Sequence, residues 1–220
     1  MEGLVWCVSE IVLLDRDRKI IREIDRWRVC LGRHIRELTG FTGQRACDRR
    51  LRKLIEAGYI KREKILYGVA GIYRNTAKGV KRERLPLGSD CRKTRIEQIV
   101  HDIAVLDTVI FLGKNHGIEY DNVKSEIELH RLDGFGVRKH RPDFVVTKDG
   151  KTICVEVELS LKAKARFEKI IQDNYMAYDS QIWVVPTLDS KITSILKKNK
   201  ATYNNIHILD LGKIQAEKNK

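Results

Sequence analysis

The stretch RPDFVVTKDGKTICVEVELS, residues 141–160, decides how the second half of this chain folds. Two apolar segments flank the turn-forming Lys148-Asp149-Gly150, and this pattern predicts a hairpin of adjacent strands. Because strand side chains alternate between two faces, Glu156 and Glu158 share one face of the second strand. The predicted hairpin also brings Asp143, on the first strand, towards the same site.

These three acids predict a cation site. Two carboxylates two residues apart on a mostly apolar strand repel each other unless a positive charge lies between them. Mg²⁺ and Mn²⁺ prefer oxygen ligands, so we expect one of these ions to bind Asp143, Glu156 and Glu158. The alternative is the polar face of an exposed edge strand, with Glu156 and Glu158 paired to Lys or Arg side chains of the next helix.

The positive charge of the chain is concentrated in its first part. The 220 residues carry a formal net charge of +13. Residues 1–95 hold 24 Lys and Arg against 12 Asp and Glu, whereas residues 96–220 hold 19 against 18. This asymmetry indicates a polyanion partner for the first part, with simple solubility as the alternative. Nucleic acid is favoured over a membrane, since no apolar run approaches the length of a bilayer span.

The cysteines and the N-terminal residues favour a cytoplasmic protein. The 5 cysteines form no CxxC pair and have no ligand-like spacing with histidine. Such a scattered, odd set indicates reduced thiols and argues against a structural zinc site. The apolar LVWCV near the N-terminus is too short for the core of a signal peptide. We therefore expect a cytoplasmic location and no membrane partner.

Apolar residues at helical spacing predict three helices in the basic part. The predicted helices cover residues 15–28, residues 31–38, and a segment that begins with Thr42 as its N-cap and ends around residue 57. Residues 59–66 and 72–75 then form two strands joined by a turn. Three helices followed by a hairpin describe a winged helix-turn-helix.

The third helix is predicted to be the recognition helix. Arg and Gln side chains can make bidentate contacts with guanine and adenine edges, and basic residues on the wing suit phosphate contacts. The outward positions of the helix are Gln44, Arg45, Asp48, Arg49 and Arg52, flanked by Arg50 and Lys53, and the wing contributes Lys61, Arg62 and Lys64. The alternative is a solvated charged helix in a winged helix that binds protein.

Residues 85–90, LPLGSD, form the best linker in the chain, and they predict a domain boundary. We expect a first domain at residues 1–88 and a second at residues 89–220. The elements predicted for the second domain are a helix at 92–112, a strand at 124–130, the two hairpin strands, a helix at 161–175 capped by Ser160, a strand at 181–187, a helix at 190–198 and a strand at 206–211. This order predicts a mixed sheet flanked by helices, so the fold class is α/β in the α+β arrangement.

Pro142 and Asp143 on one strand, with Glu156 and Glu158 on the next, resemble the motif of the PD-(D/E)xK nucleases, which have a restriction-endonuclease-like fold. The resemblance implies that Asp143 and Glu156 hold Mg²⁺ together with the backbone carbonyl of Val157. Glu158 stands where the family usually has a lysine that helps to activate water. Some restriction enzymes of the family have a glutamate there and still cut, whereas other members with altered motifs have lost catalysis.

This interpretation assigns roles to residues outside the hairpin. Lys162 or Lys164, in the helix that follows, would supply the missing cation. Glu126 would be the upstream acid, ahead of Glu128. His140 lies beside basic residues, so it is expected to be incidental and not to act as a base.

Four segments together resemble the replication-relaxation family of plasmids and conjugative elements. They are DRDRKIIREIDRWRVC, HDIAVLDTVI, RPDFVV and VEVELSLKAKARFEKI, and the resemblance extends over about residues 15–178. It implies a winged helix joined to a nuclease-like domain that works in the replication or relaxation of mobile DNA.

The sequence thus predicts a DNA-binding protein of a mobile genetic element, with double-stranded DNA as its partner. Its winged helix targets the DNA, and its nuclease-like domain cleaves or nicks it with Mg²⁺ or Mn²⁺. One alternative is a non-catalytic accessory factor whose second domain recruits a replication or relaxase protein. Another alternative is a transcriptional repressor whose second domain forms a homodimer.

Overall fold

The computed structural model of the chain describes residues 11–65, 67–68, 70–86, 94–133, 140–188 and 190–217. The chain divides into two compact units, Met1–Ile99 and Val100–Lys220, and both combine helices with strands. The mixed α and β fold class is therefore confirmed. Residues 87–90 of the predicted linker lie outside the described ranges.

The helices of the first unit follow the predicted pattern closely. They are α1 (Asp15–Trp27), α2 (Gly32–Leu38) and α3 (Gln44–Glu56), and a two-residue strand β1 (Cys30–Leu31) lies between α1 and α2. The prediction of Thr42 as the N-cap of α3 is wrong. Gly43 is the N-cap, because the first helical hydrogen bond of α3 runs from Cys47 N to Gly43 O at 3.2 Å.

A small antiparallel sheet completes the first unit. The strands β2 (Ile60–Glu63) and β3 (Ile72–Asn75) form the predicted hairpin, and the described strands pair in the order β1-β3-β2. Leu66, at the end of the predicted first strand, lies outside the described residues. A further helix α4 (Ala77–Arg82) follows β3 and packs closely on the sheet. A Cβ at Gly79 in α4 would lie 2.2 Å from the carbonyl oxygen of Tyr59, so only glycine fits at that position.

The second unit contains the predicted hairpin within a larger sheet. The elements from residue 96 onwards are α5 (Ile96–His116), β4 (Val123–Ser125), α6 (Glu126–Asp133), β5 (Phe144–Lys148), β6 (Lys151–Val157), α7 (Lys164–Ala177), β7 (Ser180–Val185), α8 (Lys191–Lys200), β8 (Ile206–Asp210) and α9 (Leu211–Ala216). The described strands form one sheet in the order β4-β5-β6-β7-β8. Pairing is antiparallel from β4 to β6 and parallel from β6 to β8, so the predicted mixed sheet is confirmed.

The hairpin β5–β6 turns at Asp149 and Gly150. Both residues have positive φ angles, 51° and 73°, which is the conformation of a two-residue type I′ hairpin turn. This turn pairs Lys148 with Lys151 and Phe144 with Val155. Asp143, directly before β5, is therefore placed opposite Glu156.

The predicted strand at residues 124–130 is wrong. Only Val123–Ser125 are extended, and α6 begins at Glu126. Ser125 and Glu128 form a capping box, in which Ser125 N donates to Glu128 Oε2 at 2.8 Å and Glu128 N donates to Ser125 Oγ at 3.3 Å. These reciprocal bonds satisfy backbone donors at a helix start, so they favour helix over strand.

The predicted start of the helix after the hairpin is also wrong. Ser160 is not its cap, because α7 begins at Lys164 with Ala163 as the N-cap. The first helical bond runs from Phe167 N to Ala163 O at 3.0 Å. Further along the chain, Phe167 packs edge-on against Trp183 with ring centroids 4.9 Å apart, which fixes α7 on the sheet.

Candidate functional site

Asp143 and Glu156 meet at one end of the hairpin, as the strand pattern predicts. Asp143 Oδ2 accepts a hydrogen bond from Val157 N at 2.6 Å, so its carboxylate is fixed beside the end of β6. Glu156 lies on β6 and is only 3% exposed. The negative charge of Asp143 raises the pKa of Glu156, because like charges disfavour the charged form.

Glu156 is held by two side chains that the sequence did not assign to it. His140 Nε2 lies 2.7 Å from Glu156 Oε1, and Asn174 Nδ2 donates to the same oxygen at 2.9 Å. Burial raises the pKa of Glu156, and although His140 and Asn174 lower it and Asp143 raises it, the net shift is upward. The contact with Glu156 makes His140 part of the site, and that it does not act as a base stays a prediction. The sequence pattern that could have indicated this contact is the position of His140 three residues before Asp143.

A second histidine, His101 on α5, lies beside the carboxylate of Asp143. Its Nε2 lies 3.0 Å from Val157 O and 3.4 Å from Asp143 Oδ2. Burial lowers the pKa of His101, but the carboxylates of Asp143 and Asp102 raise it by more, to about 10. The imidazole therefore carries a positive charge at neutral pH. No local pattern predicts the contact of His101 with Asp143, because 42 positions separate the two residues.

Glu158 forms an ion pair with Lys162. Lys162 Nζ lies 2.5 Å from Glu158 Oε2, and Glu158 is only 4% exposed. The predicted alternative of an exposed edge strand is wrong, because β6 lies between β5 and β7 and both glutamates are buried. That alternative also predicted a basic side chain paired with one of the glutamates, and Lys162 is paired with Glu158. Lys164 lies away from this pair, with its Nζ 3.9 Å from Glu168 Oε1.

The predicted upstream acid, Glu126, approaches the site through its backbone. Glu126 N donates to Asp143 O at 2.9 Å, and the side chain of Glu126 lies 3.8 Å from His130 Nε2. Glu128, the less favoured candidate, uses its carboxylate in the capping box of α6. Neither assignment as a catalytic acid is tested by these contacts.

The described side chains do not already surround a metal ion. Across the described ranges, no group of three or more His, Cys, Asp or Glu side chains is arranged to hold one. Asp143, Glu156 and Glu158 are instead paired with His101, His140 and Lys162, respectively.

The first unit presents a basic face on α3. Its buried residues are Cys47, Leu51 and Leu54. The predicted DNA-contacting residues of the helix are all exposed, namely Gln44, Arg45, Arg49, Arg52 and Lys53. Arg50 differs, because its guanidinium is bound to the buried Asp17 of α1, with Arg50 Nε donating to Asp17 Oδ1 at 2.6 Å.

The predicted wing residues are exposed as well. Lys61 is paired with Glu63, with 2.7 Å between Lys61 Nζ and Glu63 Oε1. The Arg62 guanidinium lies over the ring of Tyr73, 5.9 Å from its centroid. Lys64 is exposed directly after β2. The exposed cations of the hairpin thus extend the basic surface of the first unit beyond α3.

No protein-family model matches this chain, and the search of curated proteins found no match to it either. In the part of the chain that the structure describes, no helix combines the length and the apolar character needed to cross a membrane.

Proposed function

We propose that this protein binds double-stranded DNA through its first unit, a winged helix-turn-helix domain. The order α1, β1, α2, α3, β2, β3 supports this proposal, since it sets α3 directly before a two-stranded wing. The observation that carries it is the division of α3 into a buried apolar face and an exposed face with three arginines, one lysine and one glutamine. Such side chains contact base edges and phosphates in the major groove.

The two kinds of contact predict different mutant phenotypes. Arg45→Ala or Arg49→Ala should reduce the preference for a selected duplex over a scrambled one by roughly 1–3 kcal/mol. Lys64→Ala should weaken binding to both duplexes alike and reduce the slope of log affinity against log salt by about one. Lys64 is preferred to Lys61 for this test, because the charge of Lys61 is already paired with Glu63. Fluorescence anisotropy at several salt concentrations measures both quantities.

Lys19→Ala is the matched control, since it removes the same charge from an exposed position on α1. It should leave the preference for the selected duplex unchanged. If wild-type protein shows no salt-dependent binding to any duplex, the DNA-binding proposal is wrong.

DNA cleavage by the second unit is a second candidate function. It is favoured by the meeting of Asp143, Glu156 and the backbone of Val157 at one end of a mixed sheet. Two carboxylates and a carbonyl suit Mg²⁺ or Mn²⁺. Burial is the main cause of the raised pKa of Glu156, and a divalent ion would stabilise its charged form. Asp143, Glu156 and the carbonyl of Val157 would therefore hold the ion.

The surrounding residues have separate roles in this proposal. A bound divalent ion acidifies a water molecule and offsets charge on the scissile phosphate. Val157 N fixes Asp143, while His140 and Asn174 orient Glu156. Glu158 holds Lys162, which we assign as the cation that contacts the phosphate in place of the lysine of the nuclease motif.

His140→Ala should lower metal affinity or cleavage by about 10–100-fold, because residues that orient a ligand carboxylate have effects of this size. Mn²⁺ affinity measured by electron paramagnetic resonance, together with nicking of supercoiled plasmid, would check this expectation. The control is His130→Ala, which removes a more exposed histidine from α6. Equal Mn²⁺ affinity and equal nicking in both variants would rule out the orienting role of His140.

We propose that the protein acts in the replication or relaxation of mobile DNA, because residues 15–178 resemble the replication-relaxation family. The accessory-factor alternative is favoured by one observation, the pairing of all three acids with basic side chains of the chain itself. In that case the second unit would recruit a replication or relaxase protein. A protein that binds duplex DNA tightly but leaves it intact with Mg²⁺ and Mn²⁺ would support this alternative.

A further inference from the structure

A polar groove lies between α3 and the β2–β3 hairpin of the first unit. It has a volume of about 500 Å³ and is lined by residues of α2, α3 and the hairpin. Its arginines are Arg33, Arg36, Arg52 and Arg62, which come from all three of these elements. The groove therefore adjoins the face of α3 that carries the proposed base contacts.

Asp48 is an acid within this arginine-lined groove. It lies on α3 one turn after Gln44, and its side chain is exposed. In the described part of the chain, Asp48 makes no hydrogen bond or ion pair with Arg36, Arg52 or Arg62. The carboxylate of Asp48 is thus a hydrogen-bond acceptor in the lining of the groove.

A carboxylate on a DNA-facing helix has a defined effect on recognition. It repels phosphates and base acceptors such as the O6 of guanine and the O4 of thymine. It binds favourably where a base presents a donor, and the major-groove donor that pairs with Asp or Glu is the N4 amino group of cytosine. An acid here weakens binding to most sequences and favours the few that place a donor opposite it.

We propose that Asp48 is a specificity-determining residue that accepts a hydrogen bond from cytosine N4 in the major groove, a role that rests on the proposed DNA binding. The arginines of the groove offset the repulsion between Asp48 and the phosphates. Gln44, one turn earlier on α3, is placed to contact a neighbouring base. The negative charge of Asp48 thus favours cytosine at one position of the target.

The test is selection of duplexes from a randomised pool by wild-type protein and two variants. The wild-type motif should contain one cytosine position whose preference Asp48→Ala lowers about tenfold, with the other positions unchanged. Asp48→Asn should shift that position towards adenine, because asparagine pairs with adenine N6 and N7. Both variants should bind non-specific DNA more tightly than wild type, since a negative charge has been removed.

Glu56→Ala is the matched control, because it removes an exposed carboxylate from the end of α3 outside the groove. Its motif should equal that of the wild type. If Asp48→Ala enriches the wild-type motif unchanged, the inference about Asp48 is overturned while DNA binding stands. If wild-type protein enriches no duplex, the proposed DNA binding fails and the role of Asp48 fails with it.

Discussion

Replacing Asp143 by asparagine is expected to abolish metal-dependent nicking of supercoiled plasmid, with a loss on the order of 100-fold or more. The substitution removes one of the two charges proposed to hold the ion. An amide oxygen can still accept the hydrogen bond from Val157 N, so the end of β6 should keep its conformation. Nicking would be followed on agarose gels with Mg²⁺ and with Mn²⁺, and DNA binding by fluorescence anisotropy. We expect binding to be unchanged.

Glu156→Gln should give the same loss of nicking, because it removes the buried carboxylate opposite Asp143 while leaving an oxygen for Asn174. Asp173→Asn is the matched control, since it changes an exposed acid on α7. Circular dichroism would check that each variant is folded. The cleavage proposal is contradicted if wild-type protein leaves supercoiled, linear and branched DNA intact with both metals. It is also contradicted if Asp143→Asn nicks as fast as wild type.

The placement of Asp143 and Glu156 was predictable because it depends on local rules. Strand alternation puts Glu156 on a defined face, and a two-residue turn at Asp149 and Gly150 fixes the register of the hairpin. The same locality explains why the helices α1 and α2 begin and end close to their predicted residues. In each case the deciding pattern lies within about twenty residues of sequence.

The segment at residues 124–130 contained two local patterns that compete. Alternating polar and apolar residues predict a strand, whereas Ser125 followed by Glu128 is the signature of a capping box. The capping box prevails because it satisfies backbone donors at the start of α6, while the strand pairing of β4 ends at Ser125. This error placed Glu126 on a strand, whereas it begins α6 and donates a backbone hydrogen bond to Asp143 O.

The partners of the acids were not predictable from the sequence, because tertiary packing brings them together. His101 reaches Asp143 from α5, and Asn174 reaches Glu156 from α7. The burial of Glu156 and Glu158 depends on the parallel pairing of β6 with β7, which follows a helical crossover. Nothing in the hairpin itself indicates that a third strand covers its outer edge.

Arg50→Ala is expected to destabilise the first unit by roughly 3–5 kcal/mol, although Arg50 lies among the basic residues of α3. Its partner Asp17 has a fully buried side chain, which accepts hydrogen bonds from Leu14 N at 2.7 Å and Arg50 Nε at 2.6 Å. Removing the guanidinium leaves a buried carboxylate without its counter-charge, which is the costly way to break an ion pair. Urea denaturation followed by circular dichroism would measure the loss of stability.

Arg49→Ala provides the control from the neighbouring position, because Arg49 is exposed on α3. Its free energy of unfolding should change by no more than about 0.5 kcal/mol, while its preference for the selected duplex falls. Two adjacent arginines are thus expected to have opposite phenotypes, one affecting stability and the other DNA recognition. An unchanged urea midpoint for Arg50→Ala would mean that the ion pair with Asp17 does not join α3 to α1. Arg50 would then belong with Arg49 on the proposed DNA-binding face, and its substitution should lower DNA affinity instead.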